Sequence, residues 1–170
     1  MRWSVLCLCL LTSIAALAID TVPLPEHPRP DFERTAWQNL NGTWAFEFDE
    51  KNVGLQQEWF EGNKSFSQKI LVPFPWGSPL SGVEDEAAIA WYKRSITIPE
   101  DWNGQRVFVV VGASDWYTTG WLDGQNIGEF KGGYTPFEFE LTDVAKWGQE
   151  QELILRVDDI EHDFKLYGKQ

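Results

Sequence analysis

Residues 134–141 read Tyr-Thr-Pro-Phe-Glu-Phe-Glu-Leu. Apolar and acidic side chains alternate here, so Phe137, Phe139 and Leu141 fall on one face and Glu138 and Glu140 on the other. A period of two is that of a half-buried strand; at 3.6 residues per turn these side chains would scatter around a helix. The same period recurs upstream at residues 43–48, which place Trp44, Phe46 and Phe48 on one face. Between these two strands lie further short ones, each bounded by turn residues. Residues 70–72 are halted by Pro73 and Pro75, and residues 91–98 (WYKRSITI) are closed by Pro99. Residues 106–111 (RVFVVV) are nearly continuously apolar, which predicts a strand covered on both sides or sitting centrally in a sandwich. Residues 117–130 read as a hairpin about Asp123-Gly124, a strong two-residue turn signal. Residues 152–157 (ELILRV) form the last strand, and residues 52–61 predict one helical turn around Trp59. About eight short strands with no long helical period specify an all-β fold, an antiparallel β-sandwich of the jelly-roll kind.

The chain has 170 residues. Its start resembles a removable leader: Met1-Arg2-Trp3 is a positive n-region, residues 5–18 are apolar apart from Thr12 and Ser13, and Ala16-Leu17-Ala18 is an A-x-A cleavage site. Residues 1–18 are therefore read as a signal peptide cut after Ala18, and the protein as exported to a periplasmic or extracellular space. An uncleaved anchor is the alternative, although the run is short of the ~20 apolar residues that span a bilayer. Cys7 and Cys9 both lie in this segment, so the mature protein has no disulfide, thiol nucleophile or cysteine metal site. Both are preceded by leucine, which argues against a lipoprotein. Residues 19–36 hold Pro23, Pro25, Pro28 and Pro30 and predict an extended arm, leaving residues 37–170 as one domain.

The net charge is −12, and losing Arg2 with the leader takes it one lower, to −13. An acidic surface excludes nucleic acid and anionic membrane as partners, since both require a basic footprint. Two N-x-[ST] sequons, at Asn41 and Asn63, are possible N-glycosylation sites in a host that uses them. At Asn41 the Asn-Gly pair also reads as a turn before a strand.

A glycosidase needs two carboxyl groups about 5–9 Å apart, one protonating the leaving oxygen and the other attacking or activating water. Glu84/Glu86, Glu138/Glu140 and Asp158/Asp159 are the candidate pairs. Each reads better as a loop or the solvated face of a strand, so no catalytic residue is assigned. P-loop, GxSxG, HExxH and CxxC patterns are absent, and His27 and His162 are too isolated for a metal site, so neither metal nor cofactor is expected. Ten tryptophans invite a second reading, because indole faces stack on the C–H faces of sugars. Trp44 and Trp121 are expected in the core. Trp76 and Trp102 lie in Pro-rich and Gly-containing loops and are candidate sugar platforms, with loop packing as the competing role.

Residues 132–143, Gly-Gly-Tyr-Thr-Pro-Phe-Glu-Phe-Glu-Leu-Thr-Asp, resemble the GGYTPFEFDIT segment of the N-terminal sugar-binding domain of glycoside hydrolase family 2, which includes β-galactosidases, β-glucuronidases and β-mannosidases. Supporting strings follow in the family's order. They are Leu40-Asn41-Gly42-Thr43-Trp44, Val72-Pro73-Phe74-Pro75 with Leu80-Ser81-Gly82-Val83, Trp91-Tyr92-Lys93-Arg94, Gly112-Ala113-Ser114-Asp115-Trp116, Trp121-Leu122-Asp123-Gly124, and Arg156-Val157-Asp158-Asp159 leading to Gly168-Lys169-Gln170. The resemblance spans roughly residues 27–170. It departs at Trp76-Gly77, where relatives often have Pro-Glu, and at Leu166-Tyr167, where they often have Pro-Arg.

The resemblance implies a galactose-binding-like jelly roll that precedes an immunoglobulin-like domain and a catalytic barrel. Both catalytic glutamates of the family lie in that barrel, for which this chain is too short, so no catalytic role transfers to any residue here. It further implies that an acidic residue just after the last strand binds the sugar. Asp159 matches it by position and Asp158 is its neighbour; an exposed strand end is the other reading of the pair. The leading expectation is an accessory carbohydrate-binding domain of an exported glycosidase, present here as a fragment. A free-standing carbohydrate-binding module and a pure interaction domain are the alternatives.

Overall fold

The computed structural model describes residues 22–159. The leader with its cleavage position at Ala18, both cysteines, His162 and the Leu166-Tyr167 departure lie outside the described residues. Eight strands follow in chain order: β1 (Gly42–Phe48), β2 (Gln68–Val72), β3 (Ile89–Thr97), β4 (Phe108–Val111), β5 (Tyr117–Leu122), β6 (Gln125–Lys131), β7 (Phe137–Glu140) and β8 (Glu150–Asp158). Six of them form one sheet in the order β2-β1-β3-β8-β5-β6, and β4 pairs with β7 in a second, two-stranded sheet. Every pairing is antiparallel. This is the antiparallel jelly-roll sandwich expected from the strand count. The helical content of the described residues is four short 3-10 turns, one of them over Trp59–Glu61 where the sequence predicts it.

The alternation in the sequence is realised as layers. Phe137, Phe139 and Leu141 from the small sheet meet Trp44, Phe46, Ile70, Ala90, Leu122 and Leu153 from the large one. Glu138 and Glu140 face outward. The large sheet is covered on its other face too, by residues 49–66. There Trp59, Trp91, Trp121 and Ile154 make a second cluster, with Phe60, Val53 and Phe66 against it. Trp91 stacks on Trp121 at 5.4 Å between centroids, and Phe60 stacks on Trp121 at 5.3 Å. Consecutive residues Leu153 and Ile154 of β8 are therefore both buried, one in each layer. Burying one such aromatic removes roughly 150–250 Å² from water, worth about 4–6 kcal/mol gross at ~25 cal/mol per Å².

One strand departs from its sequence reading. Residues 106–111 predict a strand covered on both sides or central in the sandwich, yet Val110 is 63% exposed while Val109 is buried, so the first alternative is overturned. A two-stranded sheet has only one layer packed on it, and the outer face of β4 meets solvent. Its β-branched residues suit an extended backbone whether or not both faces are covered.

Residues 22–38 are mostly exposed. They are tied to the domain by Asn39 Nδ2 donating to the Leu24 carbonyl at 2.9 Å and Asn41 Nδ2 to the Pro23 carbonyl at 3.1 Å. Arg94 Nη1 donates to the carbonyls of Leu40 and Asn41 at 2.7 and 3.0 Å, fixing the entry into β1.

Candidate functional site

Four strands of the large sheet begin or end along one edge of the sandwich. In register there, Asp158 of β8 lies opposite Ile89 of β3 and opposite Tyr117 of β5, and Tyr117 lies opposite Lys131 of β6. Backbone bonds carry the pairing just past the strand ends. The Asp159 N–H donates to the Ala88 carbonyl at 2.7 Å, Trp116 N–H to Asp158 at 3.4 Å, and Gly132 N–H to Trp116 at 2.8 Å. The result is a rim built from residues 84–88, 112–116, 132–136 and 158–159. Loops at the end of a rigid sandwich are suited to contacting a ligand or a neighbouring domain.

Within the rim, the Gly-Gly of residues 132–133 has a steric reason. A Cβ on Gly133 would stand 2.7 Å from Oδ1 and 2.8 Å from Cγ of Asp115. Only glycine lets the Asp115 carboxyl lie this close to the loop. Tyr134, next along, is 48% exposed.

Asp158 and Asp159 are separated by the pleat, as adjacent strand residues must be. The Asp158 carboxylate turns to the tryptophan-covered face, where it accepts from Arg156 Nη2 at 2.9 Å. The same Nη2 donates to Asn52 Oδ1 at 3.1 Å. The Arg156 side chain is only 4% exposed and the Asp158 side chain 15%. Of the two acidic residues, Asp158 is thus engaged inside the domain, and Asp159 is half-buried at the rim beyond the last strand residue.

The aromatic candidates are both half-buried. Trp76 lies 6.2 Å between ring centroids from Phe46, Phe48 and Tyr92 alike, and Trp102 packs against the main core. Each therefore presents less than a full free ring to solvent. Trp44 and Trp121 are both 5% exposed, one in each core layer. Of the sequon asparagines, Asn41 is half-buried with its carboxamide committed to Pro23, and Asn63 is exposed.

Glu138 and Glu140 share the outer face of β7. Arg106 grips Glu140 through Nε at 2.9 Å and Nη2 at 2.6 Å, and Thr142 Oγ1 adds a third donor at 2.8 Å. Those donors hold the Glu140 carboxyl at about 2, so it carries no proton to give at neutral pH. Glu84 and Glu86 are exposed in the loop before β3. Among the described residues, no group of three or more His, Cys, Asp or Glu side chains is placed to hold a metal ion. None of their helices is long and apolar enough to cross a membrane.

Sequence reasoning missed Asp115 and Arg156. Arg156 had a local signal, a lone cation in the apolar run ELILRV. Asp115 stood in one of the strings that carry the resemblance, but nothing in that string named Gly133 as its neighbour; the contact forms where the paired ends of β5 and β6 bring residues 115 and 133 together.

Residues 37–162 match the family described as glycosyl hydrolases family 2, sugar binding domain. The chain belongs to that family. A β-galactosidase of Thermoanaerobacter pseudethanolicus is 31% identical over 145 residues, 77% of this chain and 18% of that protein. A β-glucuronidase of Paenibacillus borealis is 26% identical over 129 residues, 72% of this chain and 21% of that protein. A solved β-glucuronidase from Ruminococcus gnavus in complex with D-glucuronic acid superposes with a TM-score of 0.62 at 24% identity. That match covers 72% of this chain and 22% of that one, and shows the shared fold. The chain spans about a fifth of the length of the relatives it matches.

Proposed function

We propose that this chain acts as the N-terminal, non-catalytic domain of an exported family 2 glycoside hydrolase that cleaves the O-glycosyl bond of a β-glycoside. The observation that carries the reading is the family match over residues 37–162 in a chain that spans a fifth of its glycosidase relatives. In this reading residues 1–18 direct export and are removed after Ala18, and the immunoglobulin-like and barrel domains follow downstream. The acid and nucleophile come from the barrel. This domain lends its rim to the mouth of the barrel, where Asp159 accepts hydrogen bonds from sugar hydroxyls. An ionised carboxylate offers only acceptors, which suits hydroxyl donors and no other polar group of a neutral sugar.

The test compares the present chain with the product of the extended reading frame on chromogenic β-glucuronides, β-galactosides and β-mannosides. The extended protein is expected to turn over one of these and the present chain none. Turnover by the present chain that disappears on replacing Glu138 or Glu140 would contradict the reading. Sugar binding by the present chain, with no activity in any extended form, would favour a free-standing carbohydrate-binding module.

A further inference from the structure

Arg156 is an expensive residue to place where it is. It lies at 3% exposure between Leu155 and Val157, directly opposite Trp91 of β3 and Thr119 of β5. Its Nε is buried with no hydrogen-bond partner among the described residues. A buried guanidinium with an orphaned donor costs stability that an unbranched apolar side chain of similar length would not. What the arginine makes instead is a pair of directed contacts from one nitrogen. Nη2 bonds Asp158 Oδ2 at 2.9 Å, holding the last residue of β8, and Asn52 Oδ1 at 3.1 Å, holding the segment that covers this face.

Asn52 is itself fixed. Its N–H donates to the Asp49 carbonyl at 3.0 Å, and it sits at φ +50. Asp49 is buried and accepts from the backbone N–H groups of Val53 and Gly54 and from Trp91 Nε1. The clamp is therefore rooted in the tryptophan layer and ends at Asp158, one residue before Asp159. Because side chains alternate across the sheet, holding Asp158 on the covered face sets the direction in which Asp159 leaves. We infer that Arg156 is the positioning residue of the rim: by clamping Asp158 to the tryptophan layer it fixes the strand end that presents Asp159 to the sugar. Its second half rests on the sugar-contacting role given to Asp159 under Proposed function.

The clamp is tested in the present chain by amide hydrogen exchange on Arg156→Met and Arg156→Lys. The Asp159 N–H, bonded to Ala88, reports the strand end, and the amides of Leu153 to Leu155 report the middle of β8. Losing a charge-assisted bond should speed exchange at Asp159 about tenfold or more in Arg156→Met, with Arg156→Lys intermediate. A contribution to global stability alone would speed the middle amides and leave the local opening at Asp159 unchanged, which would overturn the proposal. The link to the sugar is read in the extended enzyme. Arg156→Met should raise KM with kcat held, and the double variant with Asp159→Asn should be no worse than Asp159→Asn alone. Additive effects would remove the link between Arg156 and Asp159. If Asp159→Asn itself leaves KM unchanged, the sugar role of Asp159 falls, while the exchange experiment still decides the clamp.

Discussion

Replacing Asp49 with alanine removes the acceptor around which the covering segment is folded. The carboxylate takes the Val53 N–H on Oδ1 at 2.8 Å, and the Gly54 N–H and Trp91 Nε1 on Oδ2 at 2.8 and 3.1 Å. Gly54 and Trp91 are buried and Val53 is half-buried, so alanine leaves two donors with no route to water and a third partly screened. A stranded buried donor costs about 1–3 kcal/mol; taking the lower half of that range for two gives about 2–4 kcal/mol. Against a domain stability of about 5–15 kcal/mol this is large. Asn at position 49 keeps an oxygen for Gly54 and Trp91 but turns an amino group on the Val53 N–H, so roughly half the loss is expected. Urea unfolding followed by tryptophan fluorescence measures both, with the m-value as a check that the transition is unchanged. A loss below about 0.5 kcal/mol for Asp49→Ala would show that water or a rearranged loop satisfies these donors, and the account of the tryptophan layer would fail.

Stability should fall in acid. Burial raises the carboxyl of Asp123, but donors from Lys146, the Glu152 N–H and Gln151 outweigh it and leave the group below the ordinary range. Glu47 is lowered in the same way by Ser67 and Lys64 against the effect of burial. Such groups bind fewer protons folded than unfolded, so their stabilisation is complete above the ordinary carboxylate range and is lost as pH drops through it. Glu140 extends the decline from 4.5 to about 2 but adds little, because its pair with Arg106 is in solvent. The midpoint of thermal unfolding should therefore drop steadily over that interval, and less so in Asp123→Asn; a flat profile would refute the assignment. Gly133→Ala should cost about 1–3 kcal/mol by driving a methyl into Asp115. Gly112→Ala, with nothing within 4 Å of the added Cβ, should stay within about 0.5 kcal/mol, and equal effects in thermal melts would discount the close approach. In the extended enzyme Asp159→Asn should lower kcat/KM by roughly ten- to a hundred-fold, since a bond to a charged acceptor is worth about 1.5–3 kcal/mol. Asp158→Asn should instead lower stability by weakening the Arg156 pair, and a larger kinetic effect from it than from Asp159→Asn would reverse their roles.

The strands were legible where burial is one-sided. Alternation in β1 and β7 marked the face that became the main core, and Asp123-Gly124 marked the hairpin whose two turn residues take φ +49 and +79. The reading of residues 106–111 failed because a run of valines looks alike in a central strand and in an edge strand with one bare face. The partition of the tryptophans into two layers was not legible at all. It depends on residues 49–66 folding over the far face of the sheet, and no local period records which face a loop will cover. At the rim, the strand period separated Asp158 from Asp159. It did not show that Arg156 is buried under the covering segment, where it takes Asp158 and Asn52 together, nor that the paired ends of β5 and β6 set Asp115 against Gly133.

The proposed function makes this domain one part of a larger glycosidase. Reading the source DNA through the codon for Gln170 decides this. An open frame is expected, continuing into a second sandwich and then a (β/α)₈ barrel carrying two glutamates at the ends of its strands. A stop codon directly after Gln170, with no such sequence downstream, would contradict it.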